Sequence, residues 1–130
     1  MATRRAAAAI GPLVLDSSCW LEYFGATTRA ELFAPVIEAT EDMIVPIITV
    51  YEVYKVAKRE FGARRAVEAV ALMRRGHLID IDLPVTMAAV DTGLPLADSL
   101  IYATAQARKA TLWTQDAHFE GLPGVKYFAK

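Results

Sequence analysis

The chain has 130 residues, 55% of them hydrophobic and 22% charged, a composition typical of one folded globular domain and not of a disordered segment. Fourteen basic residues against fifteen acidic ones leave a net charge of −1, which excludes the strong basic excess of many nucleic-acid binders. Cys19 is the only cysteine, which excludes a disulfide framework and a thiolate zinc site and agrees with a reducing, cytoplasmic location. No segment approaches the roughly 20 apolar residues that span a bilayer, so we expect no membrane partner.

The N-terminal residues differ in character from the rest of the chain. Two arginines followed by a weak apolar run imitate a short signal peptide. However, Gly11 and Pro12 break this run, and cleavage beyond them would remove the first predicted strand. We therefore expect a disordered extension over residues 1–12 and a single domain over residues 13–130.

After this extension, short apolar runs alternate with longer segments of helical periodicity. The sequence predicts strands at 13–15, 43–48, 78–83, 111–114 and 125–128. It predicts a first helix that begins at Ser17 or Ser18 and ends at Phe24, and further helices at 31–40, 50–61, 63–75, 85–90 and 98–109. Strands that alternate with helices predict an α/β protein whose helices cover both faces of a parallel sheet. We expect a three-layer α/β/α sandwich around a central, mostly parallel sheet of four or five strands.

Four acidic residues stand where parallel strands would bring them together. Asp16, Glu52 and Asp116 each follow a predicted strand, and Asp98 opens the helix before the fourth strand. Active sites of open parallel sheets form beyond the carboxyl ends of the strands, so all four acids can converge on one edge. Unpartnered carboxylates in one cleft would repel one another, whereas Mg²⁺ prefers carboxylate oxygens and leaves water sites for a phosphate. The set therefore suggests a shared metal site suited to phosphodiester cleavage.

Each acid also has a local structural explanation. Asp16 and Asp98 fit the N-cap positions of the helices that follow them. Thr49 and Glu52 have the spacing of a capping box, and Asp116 fits a turn. For any one acid taken alone, the structural explanation is the better one.

Other chemistries find less support in the sequence. His77 and His118 are far apart and lack metal-ligand spacing, so we expect both to be structural or surface residues. Cys19 has no convincing histidine partner and fits a buried, small apolar role. A phosphatase of the haloacid dehalogenase type also begins with a strand ending in Asp, but Ser18 stands here where that class has a second Asp.

Half of the basic residues fall in one region of the sequence. These seven are Lys55, Lys58, Arg59, Arg64, Arg65, Arg74 and Arg75. Such a cluster can meet phosphates by releasing counterions, whatever the net charge of the protein. A solvated helix face explains the same cluster equally well.

The aromatic residues near the proposed acidic edge offer a candidate interaction surface. With 55% hydrophobic residues in a small chain, some apolar side chains must remain exposed, and a contiguous patch would mark an interaction site. Tyr23, Phe24, Tyr51 and Tyr54 lie close to that edge or on helices leading from it. Core packing is the alternative for all four, and it is favoured more strongly for Tyr54 than for Tyr51.

Four segments together resemble the signature of the PIN-domain family. They are LVLDSS at 13–18, TVYEV at 49–53, LPLADSLIYATA at 94–105 and LWTQDAHF at 112–119. None is specific alone, but their order and spacing over residues 13–128 make the resemblance strong, and the length resembles VapC-type toxins of toxin–antitoxin pairs. Two features depart from the family pattern: the residues before Leu13, and His118 where another acid is common.

The resemblance implies an Mg²⁺- or Mn²⁺-dependent endoribonuclease that hydrolyses RNA phosphodiester bonds. It implies Asp16, Glu52 and Asp98 as principal metal ligands, with Asp116 as the fourth carboxylate. Ser18 and Thr114 are then candidates to orient those carboxylates or a water molecule. The implied partners are an RNA substrate, a second copy in a homodimer, and an antitoxin protein that fills a groove and places an arginine among the acids.

Two other functions remain open at this point. One is a catalytically silent PIN fold kept for protein contacts, which the intact set of four acids argues against. The other is a phosphatase on a similar α/β sheet, which a small phosphoester substrate would detect. The RNA target and the identity of the antitoxin are not encoded in any recognisable motif.

Overall fold

Strands and helices alternate along the part of the chain that the structure, a computed structural model, describes, residues 11–130. Most of the extension predicted at residues 1–12 lies outside the described residues. Within them, no helix is both long and apolar enough to cross a membrane.

The described residues form five strands and six α-helices. The strands are β1 (Leu13–Leu15), β2 (Ile44–Pro46), β3 (His77–Ile79), β4 (Thr111–Thr114) and β5 (Val125–Tyr127). The helices are α1 (Ser17–Phe24), α2 (Ala30–Ile37), α3 (Ile47–Phe61), α4 (Ala63–Met73), α5 (Leu83–Asp91) and α6 (Leu96–Ala107). Two short 3₁₀ helices, Thr40–Asp42 and Ala117–Phe119, complete the chain order.

All five strands pair in parallel, in the order β3-β2-β1-β4-β5. The central strand β1 pairs with β2 through Val14 and Ile44, and with β4 through Leu15 and Trp113. The carboxyl ends of β1, β2 and β4 therefore lie side by side at one edge of the sheet. This topology confirms the predicted three-layer α/β/α sandwich.

The core occupies both faces of the sheet. Leu13 and Leu15 of β1 belong to one buried cluster with Trp20 of α1, while Val14 between them belongs to a second cluster with Ile101 of α6. This alternation follows the two-residue period of a strand, and a parallel sheet covered by helices buries both sets. The acids that follow β1 and β4 are thus held at the end of a rigid, buried support.

The second strand is shorter than the sequence predicted. Residues 43–48 were expected to be a strand because Ile44, Ile47 and Ile48 are β-branched. The strand ends at Pro46, whose φ of −62° is fixed and which has no amide hydrogen for a neighbouring strand. Helix α3 begins at Ile47, so the predicted boundary is wrong by two residues.

The third strand is also shorter than predicted, and the error has a clear cause. The prediction of a strand at 78–83 rested on alternating apolar and acidic residues, but β3 ends at Ile79. The Asp82 carboxylate accepts a hydrogen bond of 2.9 Å from the Val85 amide and so caps α5, which begins at Leu83. Pro84 in the first turn suits that helix start.

Candidate active site

A pocket of about 360 Å³ at the carboxyl edge of the sheet is lined by Asp16, Glu52, Asp98 and Asp116. Asp16 follows β1, Glu52 lies in α3 directly after β2, Asp98 lies in the first turn of α6, and Asp116 follows β4. The structure therefore brings all four acids together from four parts of the chain. We call Asp16 and Glu52 the inner half of the pocket, and Asp98 and Asp116 the outer half.

Asp16 is the most deeply placed of the four, with 3% of its surface exposed. One carboxylate oxygen accepts the Ser17 amide at 2.8 Å and the other accepts the Thr114 hydroxyl at 2.7 Å. Burial raises the pKa of Asp16 to about 6; the hydrogen bonds from Thr114 and Ser17 oppose this rise, and the nearby Asp98 and Glu52 add to it. Asp16 does cap α1, as its local explanation expected, yet the same side chain also lines the pocket.

Glu52 lies inside α3 rather than in a capping box. Because α3 begins at Ile47, Thr49 is already within the helix, and the capping box predicted for Thr49 and Glu52 is wrong. Instead the Ser17 hydroxyl donates to Glu52 Oε1 at 2.9 Å and links α1 to α3. Burial raises the pKa of Glu52, Ser17 and Lys55 oppose the rise, and Asp98 adds to it.

The hydroxyls that hold the inner half are those of Thr114 and Ser17. The Thr114 hydroxyl donates a hydrogen bond to Asp16, as expected of a residue that orients a carboxylate. The same hydroxyl oxygen accepts a hydrogen bond of 3.0 Å from the Asp116 amide. Ser18, the other expected residue, lines the pocket, but among residues 11–130 its hydroxyl has no hydrogen-bond partner. Consecutive helical residues point about 100° apart, so only one of the two serines of α1 can reach α3.

The outer half is organised around His118. Its Nδ1 lies 3.1 Å from Asp98 Oδ2 and 3.3 Å from Asp116 Oδ1, and its backbone amide donates to Asp116 Oδ1 at 2.9 Å. The hydrogen bond with Asp98 and the charge of Asp116 raise the pKa of His118. Burial raises the pKa of Asp98, the hydrogen bond from His118 opposes this, and Asp116 adds to it.

One expectation for this half is wrong, and another is incomplete. Helix α6 begins at Leu96 after Pro95, so Asp98 lies inside its first turn and is not the N-cap. His118 is exposed, as expected of a surface residue, but it contacts two of the four acids. The position of His118 two residues after Asp116 was the sequence feature that could have indicated these contacts. His77, by contrast, is exposed on β3.

The wall of the pocket contains a buried amide that sequence reasoning missed. Gln115 is 6% exposed; its Nε2 donates to Glu22 at 2.7 Å, and its Oε1 accepts Arg29 Nε at 2.7 Å. Arg29 also donates to the Phe128 carbonyl at 3.0 Å, which ties the segment after β5 to the pocket wall. Lys130, at the end of that segment, lines the pocket beside the acids. The position of Gln115 between Thr114 and Asp116 was the only sequence signal for it.

The predicted basic cluster at 55–75 is partly neutralised. Three of its arginines pair with acids: Arg59 with Glu60 at 3.0 Å, Arg64 with Glu68 at 3.4 Å and Arg75 with Glu41 at 3.8 Å. Lys55 is the member whose charge acts on the pocket, through Glu52. A role for this region in guiding RNA stays a prediction.

The donor set of the pocket fits a divalent cation. Four carboxylates supply the oxygen ligands that hard cations prefer, and burial and mutual repulsion raise the pKa of Asp16, Glu52 and Asp98. A divalent cation would offset that repulsion. In the outer half, donor atoms of Asp98, Asp116 and His118 all lie within 4.8 Å of one another.

Comparison with known proteins relates this geometry to a family. The family model of the PIN domain matches residues 13–125 of the chain. The search of curated protein sequences found no match to this chain. A solved structure described as a toxin–antitoxin complex from Klebsiella pneumoniae contains a chain of 26% identity, and the match covers 88% of this chain and 95% of that chain with a TM-score of 0.72.

Two further solved structures share the fold at lower sequence identity. VapC20 of Mycobacterium tuberculosis, described as a sarcin–ricin loop cleaving toxin, is 15% identical, with 90% of this chain and 99% of that chain covered and a TM-score of 0.74. VapBC2 of Rickettsia felis, bound to a DNA fragment from its promoter, is 16% identical, with 91% and 99% covered and a TM-score of 0.71.

Proposed function

The chain belongs to the PIN domain family, and on that premise we propose that it is a metal-dependent endoribonuclease, the toxin of a type II toxin–antitoxin pair. The observation that carries the proposal is the pocket in which carboxylates from four separate elements meet. Two solved structures with a similar fold, one of a toxin–antitoxin complex and one of a toxin that cleaves the sarcin–ricin loop, support the proposed substrate and the proposed toxin–antitoxin setting.

In this proposal Asp16, Glu52 and Asp98 are the principal ligands of Mg²⁺ or Mn²⁺, and Asp116 is the fourth carboxylate. When bound, such a metal would supply a water that is nucleophilic at neutral pH and would stabilise charge on the phosphate. The chain's part is to keep the carboxylate oxygens turned toward one point. Thr114 performs this for Asp16, because its hydroxyl is held between that carboxylate and the Asp116 amide.

RNA reaches the site from the open side of the pocket. Lys130 lines that pocket, and its ammonium group is the kind of partner that a phosphodiester backbone requires. The outer half is the more open side of the pocket, because Asp98 and Asp116 are only partly buried and the His118 side chain beside them is 59% exposed. We therefore expect the scissile phosphate to approach over the outer half, with the inner half beneath it.

An antitoxin and a second copy of the chain are the proposed protein partners. An open groove of about 390 Å³ between α3 and α4 is lined by Ile47, Val50, Tyr51, Tyr54, Val67 and Val70. Tyr51 is 60% exposed there, and Tyr54 is half-buried. An apolar segment of the antitoxin would cover this groove, and an arginine from it would compete with the metal for the four acids.

The enzymatic proposal is tested with purified protein and RNA of mixed structure. We expect cleavage that requires Mg²⁺ or Mn²⁺, stops in EDTA, and is largely lost in Asp16→Asn and Glu52→Gln. Glu68→Gln on the exposed face of α4 is the matched control and should cleave like the wild type. Equal cleavage by all variants would reveal a contaminating nuclease, and turnover of a small phosphoester in place of RNA would favour the phosphatase alternative.

Metal binding is tested separately from cleavage. A ligand that binds only the folded state raises the Tm, so millimolar Mg²⁺ or Mn²⁺ should stabilise the wild type. The gain should shrink in Asp98→Asn, which removes one ligand charge. A Tm that no divalent cation shifts would contradict the shared metal site.

A further inference from the structure

The outer half of the pocket contains a nitrogen donor beside its two carboxylates. His118 Nδ1 lies within 3.3 Å of an oxygen of Asp98 and of an oxygen of Asp116. Donor atoms of these three residues all lie within 4.8 Å of one another, close enough to bind a single ion. The inner half, in contrast, has only the oxygens of Asp16 and Glu52 to offer.

The position of His118 is set by the local fold rather than by chance contact at the surface. Asp116 caps the 3₁₀ helix Ala117–Phe119 by accepting the His118 amide. Phe119 is fully buried in the second core cluster and anchors that short helix. The imidazole, 59% exposed, is thereby turned outward to the side on which α6 presents Asp98.

We propose that His118 is a metal ligand and that the outer half prefers later first-row divalent ions, such as Co²⁺, over Mg²⁺. The inference rests on the proposed function, because it concerns the same metal site. Imidazole nitrogen binds first-row transition ions well, and affinities rise along the series from Mn²⁺ to Cu²⁺. Mg²⁺ instead demands oxygen ligands and gives up its water reluctantly, so an Asp₂His set favours it less than an all-carboxylate set.

If His118 had a second, purely electrostatic role instead, the opposite effect of His118→Ala on metal affinity would be expected. If His118 acts only as a positively charged neighbour of Asp98 and Asp116, its removal leaves more negative charge for any cation. His118→Ala would then strengthen the binding of Mg²⁺ and Co²⁺ alike. If His118 is a ligand, the same variant loses affinity for Co²⁺ selectively.

Titration calorimetry of the metal-free protein with Co²⁺ and with Mg²⁺ separates the two roles. We expect His118→Ala to lose about tenfold or more in Co²⁺ affinity while its Mg²⁺ affinity changes by about twofold at most. His118→Asp should raise the Mg²⁺ affinity and lower the Co²⁺ to Mg²⁺ affinity ratio, because it completes an all-oxygen set. His77→Ala, the matched control, removes the chain's only other histidine and should change neither affinity.

Pulsed electron paramagnetic resonance of the Mn²⁺-loaded protein gives a readout that does not depend on activity. The wild type and His77→Ala should show the coupling of an imidazole nitrogen to the metal, and His118→Ala should not. An unchanged Co²⁺ to Mg²⁺ ratio in His118→Ala, together with no nitrogen coupling in the wild type, would overturn the inference. If Asp98→Asn still lost metal binding and cleavage in that case, the proposed function would stand without the inference about His118. If the wild type bound no divalent cation, both the inference and the proposed function would be overturned.

Discussion

Asp16 in the inner half of the pocket and Asp98 and Asp116 in its outer half lie in very different surroundings. Asp16 is almost fully buried and accepts two hydrogen bonds. One comes from the Thr114 hydroxyl at the end of β4, and the other comes from the Ser17 amide at the start of α1. Asp98 and Asp116 are partly exposed, and both contact one histidine, His118, in the short 3₁₀ helix Ala117–Phe119. The inner half is therefore organised before any ligand arrives, whereas the outer half has the chemistry and exposure to discriminate between ligands.

The sharpest test of this difference compares one ligand from each half. Asp16→Asn should reduce the rate of RNA cleavage by about a hundredfold or more, since the change also disturbs the hydrogen bonds to Thr114 and Ser17. Asp116→Asn should cost about tenfold, because Asp116 is only partly buried and a water molecule can occupy the ligand position that it leaves. Asp91→Asn, an exposed acid at the end of α5, is the control. Losses of equal size in Asp16→Asn and Asp116→Asn would mean that the two halves are equivalent.

The hydroxyl that supports the inner half should matter next. Thr114→Val keeps the shape of the side chain but removes the donor to Asp16 and the acceptor for the Asp116 amide. We expect a loss of roughly tenfold in metal affinity, measured by calorimetry, which is the usual range for partners that orient ligands. Thr111→Val at the start of the same strand is the matched control. If Thr114→Val bound metal as tightly as the wild type, the buried position of Asp16 would be sufficient for metal binding without the hydrogen bond from Thr114.

The pH dependence of stability should also separate the halves. Burial raises the pKa of Asp16 in the folded state from 3.8 to about 6, so the folded protein holds this proton more tightly than the unfolded chain. The free energy of unfolding of metal-free protein therefore falls as the pH rises from about 4 to about 6. We expect a Tm in EDTA that drops by several degrees between about pH 4 and about pH 6.

Variants identify the acid responsible for that drop. Asp16→Asn should flatten it more than Asp98→Asn does, because Asp98 is only half-buried and its pKa rise is opposed by His118. Both are measured by thermal unfolding against the wild type in the same buffers. The same drop in wild type and Asp16→Asn would place the raised pKa elsewhere.

A variant outside both halves supplies the baseline and has the smallest expected effect. Val67→Ala trims the apolar groove between α3 and α4, where Val67 is 57% exposed. We expect metal binding to stay unchanged and the affinity for the co-purified antitoxin to fall by a few-fold, about 1 kcal/mol for a small buried apolar contact. Val90→Ala on α5, 78% exposed and outside the groove, is the control. A change in metal affinity in Val67→Ala would show that the groove and the pocket are coupled.

The errors in the predicted strand bounds show where local sequence patterns were not sufficient to predict secondary structure. β1 and β4 were predicted with their observed bounds, because each is a short apolar run ended by a polar residue. The predictions for β2 and β3 were too long, since β-branched or alternating residues continue past Pro46 and Ile79 into helix starts. Propensity over a few residues cannot tell a strand from the first turn of a helix when capping and tertiary packing decide between them.

The sequence by itself determined the layered α/β architecture and the edge at which the four acids meet. Both follow from the alternation of strands with helices and from the rule that parallel strands end at the same side. Only the tertiary structure decided that Ser17 rather than Ser18 supports Glu52, and that His118 stands between Asp98 and Asp116. Those contacts join residues 35 and 20 positions apart, and their geometry depends on how α1, α3 and α6 pack, which no local pattern encodes.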